Sequence, residues 1–136
     1  MAGTDTAPQL GWNMDTPFRI LTVDDEMGVT ISLKYVFAGP RYEVLCAENG
    51  DAALARLDAT SSPYDVIIVD QKMPNLTGVE LVEAIRKRGI AGKIIVLSAD
   101  LPPEARAAYE RLNVHAIFPK PFDVDELRSF VARLAA

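Results

Sequence analysis

One cysteine, one histidine and one tryptophan among 136 residues exclude several common chemistries at once. A lone Cys46 cannot close a disulfide within the chain, which fits a reducing compartment, and the cytoplasm is the expected one. The residue suits a small buried hydrophobe on a strand better than a reactive thiol. His115 has no second histidine or cysteine with which to hold a soft metal, and it reads as a partly exposed spectator rather than a phosphohistidine relay. No apolar stretch approaches the roughly 20 residues of a membrane-spanning helix, so membrane insertion is not expected. The opening Met1-Ala2-Gly3-Thr4-Asp5 has neither the basic nor the apolar region of a secretory signal. Clustered positive charge is missing too. With 14 Lys and Arg against 19 Asp and Glu, a net charge of −5 and basic residues scattered along predicted helices, no nucleic-acid groove is expected.

What is present is an ordinary globular balance, 49 % hydrophobic and 24 % charged, in a chain the size of one domain. Residues 1–17 hold Gly3, Pro8, Gly11 and Pro17 without clean periodicity and read as a tail, with Trp12 available to anchor it and Met14 as an alternative start. From Phe18 to Ala136 strand and helix patterns alternate five times, the signature of βαβ units in an α/β fold. Val29, Leu33, Val36 and Phe37 mark a first helix stopped by Gly39-Pro40. A second strand covers Tyr42 to Ala47, and Ala53, Leu54 and Leu57 mark the helix after Asn49-Gly50. Leu81, Val82 and Ile85 give a third helix from near Gly78 to Gly89. Ala105, Ala108, Tyr109 and Leu112 give a fourth, with Pro102 and Pro103 in its first turn. The last helix opens with Asp123 as N-cap and Glu126 three residues on, with Val124, Leu127, Val131 and Leu134 as its apolar stripe.

Four apolar runs each end in a side chain suited to phosphoryl chemistry. Ile20-Leu21-Thr22-Val23 runs into Asp24-Asp25, Val66-Ile67-Ile68-Val69 into Asp70, Ile94-Ile95-Val96-Leu97 into Ser98, and Ala116-Ile117-Phe118 leads to Lys120. Such β-branched runs are what strands buried on both faces of a parallel sheet look like, and ligands of open parallel sheets bind outside the carboxyl ends of the strands. The carboxylates, the hydroxyl and the ammonium then share one crevice.

Without a cation, three neighbouring carboxylates repel one another, and Mg²⁺, a hard ion that takes one or two carboxylates and keeps several waters, suits them. A metal and a lysine together neutralise the equatorial oxygens of a phosphoryl group. Ser98 can donate to another oxygen, and a carboxylate beside the metal can be the nucleophile. Asp70, at the central strand's end, is the candidate acceptor. Asp24-Asp25 alone could be turn chemistry, and Lys120 alone a solvated charge. Agreement of four strand ends argues for a site. Glu26 is assigned to the first helical turn, where its charge favours the dipole.

The ordered set Val23-Asp24-Asp25-Glu26, Val69-Asp70-Gln71-Lys72-Met73-Pro74 with Gly78 behind it, Leu97-Ser98-Ala99 and Lys120-Pro121-Phe122 resembles the receiver domain of bacterial two-component response regulators. The resemblance covers Phe18 to Leu134 and implies a flavodoxin-like, doubly wound (βα)5 fold with a five-stranded parallel sheet in the order 2-1-3-4-5. It implies that Asp70 accepts a phosphoryl group from a phosphohistidine of a histidine kinase or histidine phosphotransfer protein and that the change is read by a downstream protein target. It also implies that Mg²⁺ is the cofactor, held directly by Asp25, Asp70 and the main-chain carbonyl of Lys72, with Asp24 acting through water. Ser98 and Lys120 would contact the phosphoryl oxygens, and Lys120-Pro121 would be cis. Such a protein catalyses its own phosphorylation and dephosphorylation and turns over no external substrate.

The chain departs from the pattern at one switch position. Ile117 stands three residues before the lysine, where the family commonly has an aromatic ring that turns inward as the hydroxyl of the residue at Ser98 moves. Phe118 points to the opposite face. Lys72 and Asp100 occupy positions that tune hydrolysis in this family, and a Lys-Asp pair across the mouth is expected to lengthen the phosphoryl lifetime. Three other readings stay open: a receiver excised from a longer regulator or hybrid kinase, a receiver that binds protein without phosphate, and a haloacid-dehalogenase-like phosphatase. The last wants its two acids two residues apart, whereas Asp24 and Asp25 are adjacent.

Overall fold

A computed structural model of the chain describes residues 16–135, so the readings of Trp12, Met14 and nearly all of the proposed tail lie outside the described residues. Five strands, β1 (Phe18–Val23), β2 (Tyr42–Ala47), β3 (Val66–Asp70), β4 (Lys93–Ser98) and β5 (Ala116–Pro119), alternate with five helices. The helices are α1 (Met27–Val36), α2 (Gly50–Ala59), α3 (Gly78–Lys87), α4 (Pro103–Arg111) and α5 (Val124–Ala135). All strand pairs are parallel, in the order β2-β1-β3-β4-β5. This is the flavodoxin-like arrangement expected from the sequence.

Strand alternation sorts the apolar residues into two layers. Leu21, Val23, Ile67, Val69, Ile94 and Val96 pack with Ala53, Leu57, Leu81, Val82, Ile85 and Tyr109 of α2, α3 and α4. Ile20, Val66, Ile68, Ile95 and Leu97 face Leu33, Val36, Leu127 and Val131 of α1 and α5. Central β3 is buried along its whole length, which is why its sequence is a continuous apolar run. The edge strands are only half-covered, and this corrects the reading of Cys46, which lies on β2 and is half-buried rather than buried. Val124, the first residue of α5, is likewise 41 % exposed and contributes little to the α5 stripe.

Helix starts are fixed by side chains that satisfy free N–H groups. Asn49 accepts from the Ala52 amide at 2.7 Å, and Asp123 from the Glu126 amide at 2.9 Å. Thr77 and Glu80 form a reciprocal capping box at α3, with bonds of 3.2 and 2.9 Å. At the far ends, Arg86 donates to the carbonyls of Ile90, Gly92, Leu112 and Asn113 at 3.0 to 3.2 Å, tying the end of α3 and the start of β4 to the end of α4. Chain reversal after α1 uses Gly39 at φ 115°, a left-handed conformation that side chains rarely adopt.

Candidate functional site

The strand ends meet as the spacing predicts. Asp24 follows β1 and is 3 % exposed; its carboxylate accepts from the Glu26 amide at 2.9 Å and from Lys120 Nζ at 3.2 Å. Asp70, the last residue of β3 and equally buried, accepts from Lys120 Nζ at 3.1 Å and from the Lys72 amide at 3.4 Å. Asp25 is exposed, yet carboxylate oxygens of Asp24, Asp25 and Asp70 lie within 4.8 Å of one another. Lys120 follows β5 directly, and its amide donates to the Ser98 carbonyl at 3.0 Å, so the ends of β4 and β5 are joined at the site. The Lys120-Pro121 bond is cis, as the resemblance implied. Asp25, Glu26, Asp70, Lys72, Asp100 and Lys120 contribute to the walls of an open crevice of ≈ 620 Å³.

Electrostatics follow from this crowding. Burial, and then the charge of Asp24, push the Asp70 carboxyl up to about 6. Burial likewise raises Asp24 against the pull of Lys120. For Lys120 burial opposes the charge, but its bonds to Glu26 and Asp70, with the charges of Asp24 and Asp70, outweigh it and hold the ammonium above the ordinary lysine range. Four carboxylates thus converge near one ammonium, an excess of negative charge that a hard divalent cation relieves. The all-oxygen donor set fits Mg²⁺. Ser98 Oγ is buried beside this group and has no hydrogen-bond partner, an orphan of the kind that marks a place for a ligand oxygen.

Two placements, those of Glu26 and Tyr109, were not legible. Glu26 is not in the helix: it is the extended residue before α1, makes no cap bond, and its carboxylate accepts from Lys120 Nζ at 2.7 Å. The signal lay 94 residues away and no local pattern carries it. Lys72 and Asp100 both line the crevice and are exposed, but among the described residues no ion pair joins them. Tyr109, read only as part of a helical stripe, is wholly buried and hydrogen-bonds the side-chain oxygen of Gln71, next to the acceptor. Ile117 packs on the α2–α4 side, while Phe118 faces the other layer and meets Phe130 edge-on at 5.7 Å, as strand alternation predicted. His115 is exposed at the opposite end of β5 from Lys120, just before the strand. Its Nδ1 accepts from the Ile94 amide at 3.4 Å, so it sits too far along the strand to serve this crevice.

The family model described as the response regulator receiver domain matches residues 20–132. This chain belongs to the response regulator receiver domain family. Members of the family are phosphorylation-dependent switches of two-component signalling rather than substrate-turnover enzymes, and they interact with histidine kinases or phosphotransfer proteins and with downstream targets. This receiver is 30 % identical over 115 residues to sporulation initiation phosphotransferase F of Bacillus subtilis, covering 85 % of this chain and 91 % of that one. It is 36 % identical over 115 residues to regulatory protein AtoC of Escherichia coli, covering 85 % of this chain but 24 % of AtoC. The receiver spans about a quarter or less of several of the curated relatives it matches. Among solved structures it is similar to the chemotaxis protein CheY4 of Vibrio cholerae, with a TM-score of 0.78, 28 % identity and coverage of 88 % and 99 % of the two chains. The receiver's acidic cluster could hold a metal, and no helix among the described residues is long and apolar enough to cross a membrane.

Proposed function

We propose that Asp70 is the phosphoacceptor of a Mg²⁺-dependent switch whose donor is the phosphohistidine of a histidine kinase or histidine phosphotransfer protein. The observation that carries this reading is the buried Asp70 carboxylate held at 3.1 Å from Lys120 Nζ, beside the unpartnered Ser98 hydroxyl. An Asp70 oxygen attacks phosphorus, the phosphorus–nitrogen bond of the donor breaks, and its electron pair stays on the departing imidazole. Lys120 turns from the carboxylates to a phosphoryl oxygen, and Ser98 donates to another. Asp25, Asp70 and the Lys72 carbonyl would hold Mg²⁺, with Asp24 reached through water; when bound, the ion neutralises charge on the phosphoryl oxygens. The phosphorylated state ends by a separate hydrolysis, in which water attacks the same phosphorus and the aspartyl oxygen leaves, releasing phosphate. No external substrate is turned over.

The unit that does this is residues 18–136, with 1–17 a preceding tail, and it works in the cytoplasm on a downstream protein target. Incubation with Mg²⁺ and acetyl phosphate, followed by intact mass, tests the reading. One labile phosphoryl adduct that disappears in Asp70→Asn and without Mg²⁺ is the expected result. An adduct that persists in Asp70→Asn would move the acceptor elsewhere.

A further inference from the structure

Tyr109 is fully buried in the last turn of α4, and its hydroxyl donates to the side-chain oxygen of Gln71, the residue after Asp70. Among the described residues this is the one side-chain hydrogen bond from α4 to the segment that follows the acceptor. Gln71 is fixed on both sides of its own backbone: its amide donates to the Leu97 carbonyl on β4 at 3.0 Å, and its carbonyl accepts from the Gly78 amide, the first residue of α3, at 3.0 Å. The phenol occupies space that Gly78 leaves free. A Cβ at position 78 would come within 2.8 Å of the Asp70 carbonyl oxygen and 2.9 Å of Gln71 Cα, and would also strike the Tyr109 hydroxyl. Burial, and then the nearby Asp70 charge, raise the Tyr109 pKa, so the phenol stays a neutral donor.

Two ends of α4 are therefore tied to the site by different means. The N-terminal end, where Pro102 makes no side-chain cap, hangs from the short loop that follows Ser98, and the C-terminal half is held by Tyr109 on Gln71. Ile117 lies in the same layer but carries no polar atom that could make such a link. We propose that Tyr109 is a positioning residue that sets α4 relative to Asp70, and that its bond to Gln71 carries the phosphorylation state of Asp70 to α4. This rests on the phosphoacceptor reading of Asp70. In this proposal a phosphoryl group on Asp70 displaces the side chain of the next residue, Gln71, whose backbone stays bonded to β4 and α3, and the buried phenol follows its hydrogen-bond partner or loses it.

The test uses the full chain labelled with ¹⁵N, with Mg²⁺ and acetyl phosphate, in the wild type, Tyr109→Phe, Gln71→Leu and the double variant. Intact mass gives the adduct, and amide shifts of residues 104–112 give the response of α4. The expected result is full adduct in every variant, with α4 shifts on phosphorylation at least threefold smaller in each single variant and no further loss in the double, because one bond is removed in all three. Full adduct with wild-type α4 shifts in Tyr109→Phe overturns the inference alone. No adduct on Asp70 in the wild type overturns the phosphoacceptor reading and this inference with it. Should Tyr109→Phe fail to fold, Gln71→Leu, at a half-buried position, removes the same bond from the other side and decides the matter by the same shifts.

Discussion

Among the described residues Lys120 is the one cation bonded by Asp24, Glu26 and Asp70, and the crevice keeps the two buried aspartates near each other. An acid whose pKa is raised by folding contributes stability that is full below its unfolded value, 3.8 for Asp70, and is lost as pH rises through the folded value of about 6. In the presence of a chelator, the wild type is therefore expected to lose on the order of 2 kcal/mol of unfolding free energy between pH 4.5 and 7.5 relative to Asp70→Asn, whose amide does not titrate. Denaturant titrations of both proteins at the two pH values measure the difference. Parallel pH dependence in wild type and variant would show that Asp70 is not held under strain. Sequence alone located Asp24, Asp70, Ser98 and Lys120 because each ends a strand. Glu26 on Lys120 and Tyr109 on Gln71 were not legible, since each bond joins residues far apart in the chain and depends on where a helix lies over a loop.

At the level of elements, the helices owe their ends to a few side chains whose loss should be measurable. Thr77→Ala removes one half of the α3 capping box and is expected to cost about 1 kcal/mol. Arg86→Ala strips donors from four carbonyls around the ends of α3 and α4 and is expected to cost about 2 kcal/mol, discounted for partial exposure. Urea unfolding midpoints check both, and an Arg86→Ala protein as stable as wild type would mean that water replaces the guanidinium freely. Strand positions were legible because β1, β3 and β4 are buried runs, and least so at the edges, where the half-covered β2 leaves Cys46 partly open. The Thr77–Glu80 box stands in the sequence as a Thr-x-x-Glu spacing around Gly78, whose small size serves the approach of Asp70 and Gln71 rather than the helix start.

For the whole molecule, the acidic crevice makes folding and cation binding one equilibrium. Mg²⁺ at a hundredfold over its Kd is expected to raise the unfolding free energy by about 2.7 kcal/mol, because the unfolded chain does not assemble Asp24, Asp25 and Asp70. Melting in Mg²⁺ and in chelator measures it, and Asp25→Asn, which leaves the buried pair untouched, is expected to remove most of the gain. Equal melting temperatures in the two solutions would contradict a metal site. The sheet order brings together strand ends that are far apart in the chain, so the site is a property of topology, and only the run of motifs in order made that topology readable beforehand. As the proposed phosphoacceptor of the acidic crevice, Asp70 is expected to carry an acyl phosphate. Borohydride reduction after treatment with acetyl phosphate and Mg²⁺ converts an aspartyl phosphate, a mixed anhydride, to homoserine, and peptide mass mapping locates it. Homoserine at position 70 alone is the predicted result; homoserine at 24 or 25, or none in a protein that still binds Mg²⁺, would contradict it.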